Sequence, residues 1–149
     1  MSDTPRSWAV VGAGAMGSVI GGHLALAGHS VTLVDVRRDH IDAIRTDGLV
    51  MRRPDGTAST VRLDATVDPS ADLRPVDVLL FMCKTFATVE AARSMAHALA
   101  PGGVAVTLQN GLGNDRRLAE VFDADRVIPG TTTVGAESVV PGVVLMAPA

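Results

Sequence analysis

Three glycines are the first residues in this chain whose spacing could do chemistry. They stand in Gly12-Ala13-Gly14-Ala15-Met16-Gly17, directly after the apolar run Trp8-Ala9-Val10-Val11. The pattern is G-x-G-x-x-G between a predicted strand and a predicted helix. Gly12 permits a tight turn, Gly14 leaves the backbone bare where a pyrophosphate would approach, and Gly17 lets the helix lie close to the strand. The unpaired N–H groups and the positive dipole end of that helix face the same point. The chemistry this suits is dinucleotide binding, with residues 12–17 as candidate contacts; the plainer alternative is a structural strand-to-helix turn. An acidic residue at the right distance favours the first. Asp35 ends the run Val31-Thr32-Leu33-Val34, 18 residues beyond Gly17. A carboxylate there accepts hydrogen bonds from ribose hydroxyls and repels a 2′-phosphate, which favours NADH over NADPH. Arg37 and Arg38 follow, and either receive a 2′-phosphate or begin the next helix as solvated residues.

Two further segments end where open α/β sheets bind ligands, at the C-terminal edge of the strands. Residues 76–82 form a near-continuous apolar run that delivers Cys83, Lys84 and Thr85. The Lys84 ammonium either reaches a cofactor phosphate or substrate carboxylate, or sits on a solvated turn. Cys83 reads as a small core residue rather than a nucleophile. Residues 104–108 form another buried strand, followed by Gln109-Asn110-Gly111-Leu112-Gly113-Asn114. Asn110 offers both a donor and an acceptor to a carboxamide or hydroxyl; its alternative is a plain Asn-Gly turn.

The elements that must position these residues follow from periodicity. Strands are predicted over 7–11, 31–35, 76–82, 104–108 and 125–134. Helices are predicted from the glycine turn to Gly28, over 39–47, over 86–100 and from Asn114 to about Phe122. The first carries an apolar face of Met16, Val19, Ile20, Leu24 and Ala27, with His23 at its margin, while Gly21 and Gly22 allow close approach to the sheet. Pro101-Gly102-Gly103 is expected to end the third helix, and Asn114 to cap the fourth. Residues 49–51 and 60–63 flank Asp55-Gly56, a turn signal for a small antiparallel excursion. Residues 139–145 read as a final hairpin, 64–75 as a surface loop and 1–6 as a frayed tail. The fold class is α/β, a Rossmann-type doubly wound, mostly parallel sheet, and residues 1–149 form one domain.

Bulk properties narrow the function. The chain has 149 residues, a formal net charge of −3 and no basic run, which argues against nucleic acid. Only 3% of residues are aromatic, so base stacking is not its means of recognition. No segment approaches a membrane span, the polar start MSDTPRS lacks a signal-type core, and no metal site is expected. A single cysteine excludes an internal disulfide and agrees with a cytoplasmic setting.

Four blocks in order, GAGAMG, CKT, QNGLGN and GTTTVGA, resemble ketopantoate reductase (2-dehydropantoate 2-reductase), over about residues 8–146. The resemblance implies reduction of 2-dehydropantoate to (R)-pantoate with NAD(P)H, on the route to pantothenate and coenzyme A. It implies pyrophosphate binding by Gly12 to Gly17, places Lys84 and Asn110 by the nicotinamide and the 2-oxo acid, and has Ala136 line the cofactor site. Members that use NADPH typically carry an arginine just after the second strand. Here Asp35 and Val36 stand there and the arginines come one residue later, in agreement with NADH. Family members are about twice this long, and their second, helical domain holds the catalytic lysine, a carboxylate and most substrate contacts. This chain ends before that domain, so the expectation is cofactor binding without turnover. The alternatives are a non-catalytic regulatory NAD(P)-binding module and a reductase of another 2-oxo acid. An uncovered domain face also implies self-association into a homo-oligomer.

Overall fold

A computed structural model describes residues 4–148. Its core is a six-stranded sheet, all parallel, built from β1 (Ser7–Val11), β2 (Ser30–Val34), β5 (Asp64–Thr66), β6 (Val76–Phe81), β7 (Leu99–Thr107) and β8 (Val127–Pro129). The spatial order is β5-β2-β1-β6-β7-β8. Chain direction across the sheet therefore reverses between β1 and β6, and α/β sheets open their binding crevice at such a point.

Side-chain alternation sorts the strands onto two cores. Ala9, Val11, Leu79 and Phe81 face one layer, where they meet Ala92 and Met95 of α4 (Thr88–Met95) and Leu118 of α5 (Asn114–Leu118). Val10, Leu33 and Leu80 face the other, with α1 (Ala15–Leu26) and α2 (Arg38–Asp47). A strand buried on both faces has no polar alternation to show, which is why β6 reads as a continuous apolar run.

A second sheet covers α1. It contains β3 (Leu49–Arg52), β4 (Ala58–Val61), β9 (Ala136–Val140) and β10 (Val143–Met146), in the order β4-β3-β10-β9. The excursion and the final hairpin, read separately from the sequence, are thus halves of one sheet, joined by parallel pairing of β3 with β10. Helix α1 lies between two sheets, and its glycines explain how. A Cβ on Gly21 would stand 2.6 Å from Leu33 Cδ2 of the main sheet, and one on Gly22 2.5 Å from Met51 Sδ of the second.

This geometry corrects the expected apolar face of α1. The buried residues are Gly17, Ser18, Val19, Gly21 and Gly22, whereas Ile20 and Leu24 are half-buried and His23 and Ala27 exposed. Close approach is made by small residues, while Val19 of the expected face is buried and Ile20 and Leu24 pack at the edge of the core.

Six other expectations change. Residues 64–75 are not only loop: 64–66 pair as β5 with β2, and α3 (Pro69–Asp72) is capped by the Asp68 carboxylate. The helix expected over 86–100 is α4 flanked by two short 3-10 turns, and β7 already starts at Leu99. Pro101-Gly102-Gly103 lies inside that strand, at an irregularity in the β6–β7 register, rather than ending a helix. The strand expected over 125–134 covers only β8, and the threonines that follow are irregular. Helix α5 stops at Leu118 and starts from Gly113, because the Asn114 amide is turned inward to the Asn110 and Gly111 carbonyls. Of the expected frayed tail, residues 1–3 lie outside the described residues, while Arg6 is held by backbone bonds to Ser30 and to the His29 ring.

Gly17 carries the tightest constraint. A Cβ there would drive into the Gly12 carbonyl oxygen, a backbone atom that cannot yield. Gly17→Ala is expected to destabilise the fold by about 3 kcal/mol, an overpacking cost measurable as a lower melting temperature. An unchanged melt would show that α1 can slide away from the turn.

Candidate functional site

The site lies at the reversal between β1 and β6. Gly12 leaves β1 with φ of 100°, a conformation that favours glycine. Its N–H donates to the Val34 carbonyl at 2.8 Å, and the next strand is tied in when the Met82 N–H donates to the Val11 carbonyl at 2.8 Å. The turn packs on the CKT segment so closely that a Gly12 Cβ would stand 2.5 Å from the Cys83 nitrogen.

Above this turn is a cavity of about 620 Å³. Gly12, Gly14, Ala15, Met16 and Gly17 form its floor, Lys84 and Asn110 one wall, and Ala136 part of the opposite one. Eight of the ten residues singled out in the sequence therefore meet in one space. The other two do not line it. Ala13 is buried beneath the turn, and Asp35 is half-buried at the end of β2, where its carboxylate accepts the Arg37 N–H at 2.9 Å. Beside it the Arg37 guanidinium pairs with Asp39 at 3.5 Å, and the Arg37 charge together with backbone hydrogen bonding holds the Asp39 carboxyl below its usual range, backbone bonding being the larger cause.

Gly14 begins α1 without a side-chain cap, and the first turn contains no acidic residue. As the first residues of α1, Ala15, Met16 and Gly17 have no intrahelical acceptor for their N–H groups, and all three line the cavity. A Cβ on Gly14 would meet nothing within 4 Å. The protein itself does not need glycine there for space, in contrast to Gly17.

Lys84 is the one charged side chain in the lining, and it makes no ion pair among the described residues. It is exposed, and so is Asn110. The Asn110 carbonyl is committed, accepting from Thr85 Oγ1 at 3.0 Å and from Asn114 Nδ2 at 3.1 Å, so the loop is fixed while its side chain faces the cavity. Burial pushes the Cys83 thiol above its usual value, which makes it a poor nucleophile.

Sequence reasoning missed Gln109. Its Nε2 donates to the Cys83 carbonyl at 2.7 Å and to Thr88 Oγ1 at 2.9 Å, while Oε1 accepts from Thr107 Oγ1 at 3.0 Å. One side chain thus binds the CKT loop to the QNG loop and sets the distance between Lys84 and Asn110. Its neighbour in the motif drew attention because an Asn can serve a ligand; a half-buried cross-link leaves no periodic signal. Thr132, Thr133 and Val134 also line the cavity.

A second, apolar groove runs along α1. Ile20, Leu24 and Ala27 face Val134, Met146 and Pro148 across it. Phe86 and Leu112, on the two loops joined by Thr85, are 90% and 97% exposed, far more than apolar residues of their size need to be.

Comparison with known proteins agrees with this architecture. The 2-dehydropantoate 2-reductase of Halobacterium salinarum is 42% identical over 135 residues, which are 91% of this chain and 44% of that protein. A crystal structure of 2-dehydropantoate 2-reductase from Geobacter metallireducens superposes with a TM-score of 0.85 at 33% identity, over 96% of this chain and 46% of that one. D-mandelate dehydrogenase, solved with NADH and anilino(oxo)acetate, shares the fold, with a TM-score of 0.89 at 23% identity over 96% of this chain and 46% of that one. The chain spans less than half the length of these relatives. The family model for ketopantoate reductase PanE/ApbA matches residues 8–148, and this chain belongs to that family.

Proposed function

We propose that this chain is the dinucleotide-binding domain of an oxidoreductase that reduces 2-dehydropantoate, and that residues 12–17 hold the pyrophosphate of a nicotinamide cofactor. The observation that carries this is the floor of the cavity. Free helix N–H groups and an open space at Gly14 are what a phosphate needs, and packing does not require the glycine there. When bound, the nicotinamide would supply a hydride to a ketone carbon. The chain's own residues orient the reactants. The Lys84 ammonium attracts the carboxylate of a small 2-oxo acid or a cofactor phosphate, the Asn110 amide meets the carboxamide or the ketone side, and Ala136 closes the wall without bulk. No other charged group lines the cavity, and with Lys84 engaged in positioning no second acid stands there to protonate the product oxygen. By this reading the 149-residue chain alone binds cofactor and turns over little or no 2-dehydropantoate with NADH. Steady-state rates in the range of ordinary enzymes, about 1 s⁻¹ or more, would contradict it.

Asp35 favours NADH. Its carboxylate stands at the end of β2, where a ribose would lie, and Arg37 is already engaged with Asp39. The experiment is a fluorescence titration with NADH and NADPH. NADH should bind about tenfold more tightly, equivalent to about 1.4 kcal/mol, and Asp35→Ala should erase the difference. Gly14→Ala should weaken both cofactors at least tenfold while leaving the melting temperature unchanged. Loss of stability with intact binding would overturn the assignment of the floor.

The apolar groove beside α1, with Phe86 and Leu112, supports self-association of this chain in the cytoplasm. Size exclusion at low and high concentration should show an oligomer that dissociates on dilution; a monomer at both would contradict it.

A further inference from the structure

His40 is fully buried, yet nothing in the cofactor reading uses it. It lies near the start of α2, with one ring nitrogen toward α1 and the other toward the hairpin between β9 and β10. The Gly142 N–H donates to His40 Nδ1 at 3.0 Å. A backbone N–H can only donate, so Nδ1 must carry a lone pair, and the proton of a neutral imidazole then sits on Nε2. Nε2 is 3.1 Å from Ser18 Oγ. With Nε2–H donating to that oxygen, the serine hydroxyl hydrogen is free for the Ala13 carbonyl, 2.9 Å away. Every group has one role and no proton is duplicated. The relay runs from Gly142 N–H through the imidazole and the serine hydroxyl to the carbonyl of Ala13, in the middle of the glycine turn.

The two ends of this relay are the two sides of the cavity. Ala13 lies under the floor between Gly12 and Gly14, and the hairpin anchored at Gly142 begins at Ala136, in the far wall. No backbone hydrogen bond joins the glycine turn to that hairpin among the described residues. Gly142 is also pressed against α2, since a Cβ there would stand 3.0 Å from Ala43 Cβ. A shift of the hairpin must therefore move the relay or break it.

We propose that His40 is a positioning residue for the dinucleotide site, fixing the glycine turn from behind through Ser18 and holding the Ala136 wall in register with it. The proposal rests on the reading of residues 12–17 as the cofactor floor. It makes the neutral Nε2–H tautomer the working form. A second proton would sit on Nδ1 and confront the Gly142 N–H, donor against donor, and the wall would lose its anchor. The charged groups around the ring are Arg37, Asp35 and Asp39; α1 presents Ser18 and the hairpin a backbone amide. Burial first, then the Arg37 charge, keeps the ring's pKa below its usual 6.5. The unfolded chain thus binds the proton more readily than the folded one. The stabilisation is complete above pH 6.5 and is lost as the pH falls from there through the lowered folded value.

Two substitutions separate the two ends of the relay. In His40→Gln the side-chain amide nitrogen can replace Nε2 and still donate to Ser18. In His40→Asn the amide oxygen can replace Nδ1 and accept from Gly142, but nothing reaches Ser18. Dinucleotide affinity, by titration with NADH, should fall about tenfold in His40→Asn and less than about threefold in His40→Gln, the scale of a buried hydrogen bond left unmade. Ser18→Ala should weaken binding like His40→Asn, and combining the two should add little. Hydrogen exchange gives a readout that needs no cofactor. Amides of residues 13–18 should exchange faster in His40→Asn and Ser18→Ala, and at the wild-type rate in His40→Gln. Melting temperatures identify any variant that has simply unfolded, and wild-type affinity should fall to that of His40→Gln, a loss of less than about threefold, as the pH drops through the ring's lowered folded value, while that of His40→Gln stays level.

The outcomes are distinguishable. If the wild type binds no dinucleotide, the cofactor reading fails, and the exchange pattern alone decides the relay. If His40→Gln and His40→Asn weaken binding equally and speed exchange throughout the chain, His40 is a core residue only and the proposal is overturned. Unchanged affinity and exchange in His40→Asn would overturn it as well.

Discussion

The contact between the Cα of Gly17 and the carbonyl of Gly12 is the constraint on which the rest depends. It brings the start of α1 against the end of β1, so that the first-turn N–H groups emerge over the sheet rather than beside it. From that approach the helix can continue as the middle layer between two sheets, and the next two glycines, Gly21 and Gly22, keep it there. The cavity is what remains when a helix is held this close to a strand whose neighbours diverge. Small residues make the site by letting backbone atoms meet, and the cost is a helix with weak intrinsic propensity. Packing on both sides offsets that cost, as is usual for helices whose stability is tertiary.

Much of this was legible in the residues. The glycine spacing, the acid at the end of β2 and the two apolar runs that deliver Lys84 and Asn110 all obey periodicities or spacings with a direct physical meaning. They led to the correct sheet type and to half of the cavity lining. What escaped was of two kinds. One was the use of polar or small residues for packing: the buried face of α1 contains Gly17 and Ser18 beside Val19, so a search for apolar repeats found only part of it. The other was long-range pairing. Nothing local in residues 49–52 says that β10 will lie beside them, and residues 64–66 are too short and too polar to announce an edge strand. Gln109 and His40 belong to both kinds, being buried polar groups whose partners are remote in the chain.

The boundary errors share a cause. Residues 96–103 contain helical spacing and a Pro-Gly-Gly breaker, so the local pattern places the end of a helix there. The structure ends α4 earlier and starts β7 at Leu99, because β6 supplies partners for those backbone groups. Arg126 adds to this by donating to the Gly103 and Ala100 carbonyls at 2.8 and 2.7 Å. Tertiary hydrogen bonding outweighs local propensity wherever a neighbouring strand is already in place.

The second sheet has a consequence for how the chain comes to its structure. Its β3–β4 hairpin pairs over a short turn, but the partner of β3 lies near the other end of the sequence, with Val50 beside Val143. During synthesis the hairpin and the outer face of α1 are complete long before β10 emerges. Until then β3 keeps an open edge, and Met51 and Leu49 cover α1 without the strand that will flank them. Closing this gap spans most of the chain, the kind of remote pairing that slows folding and leaves an edge open to other chains. The strand that seals the layer over the first helix is thus made long after the helix it covers.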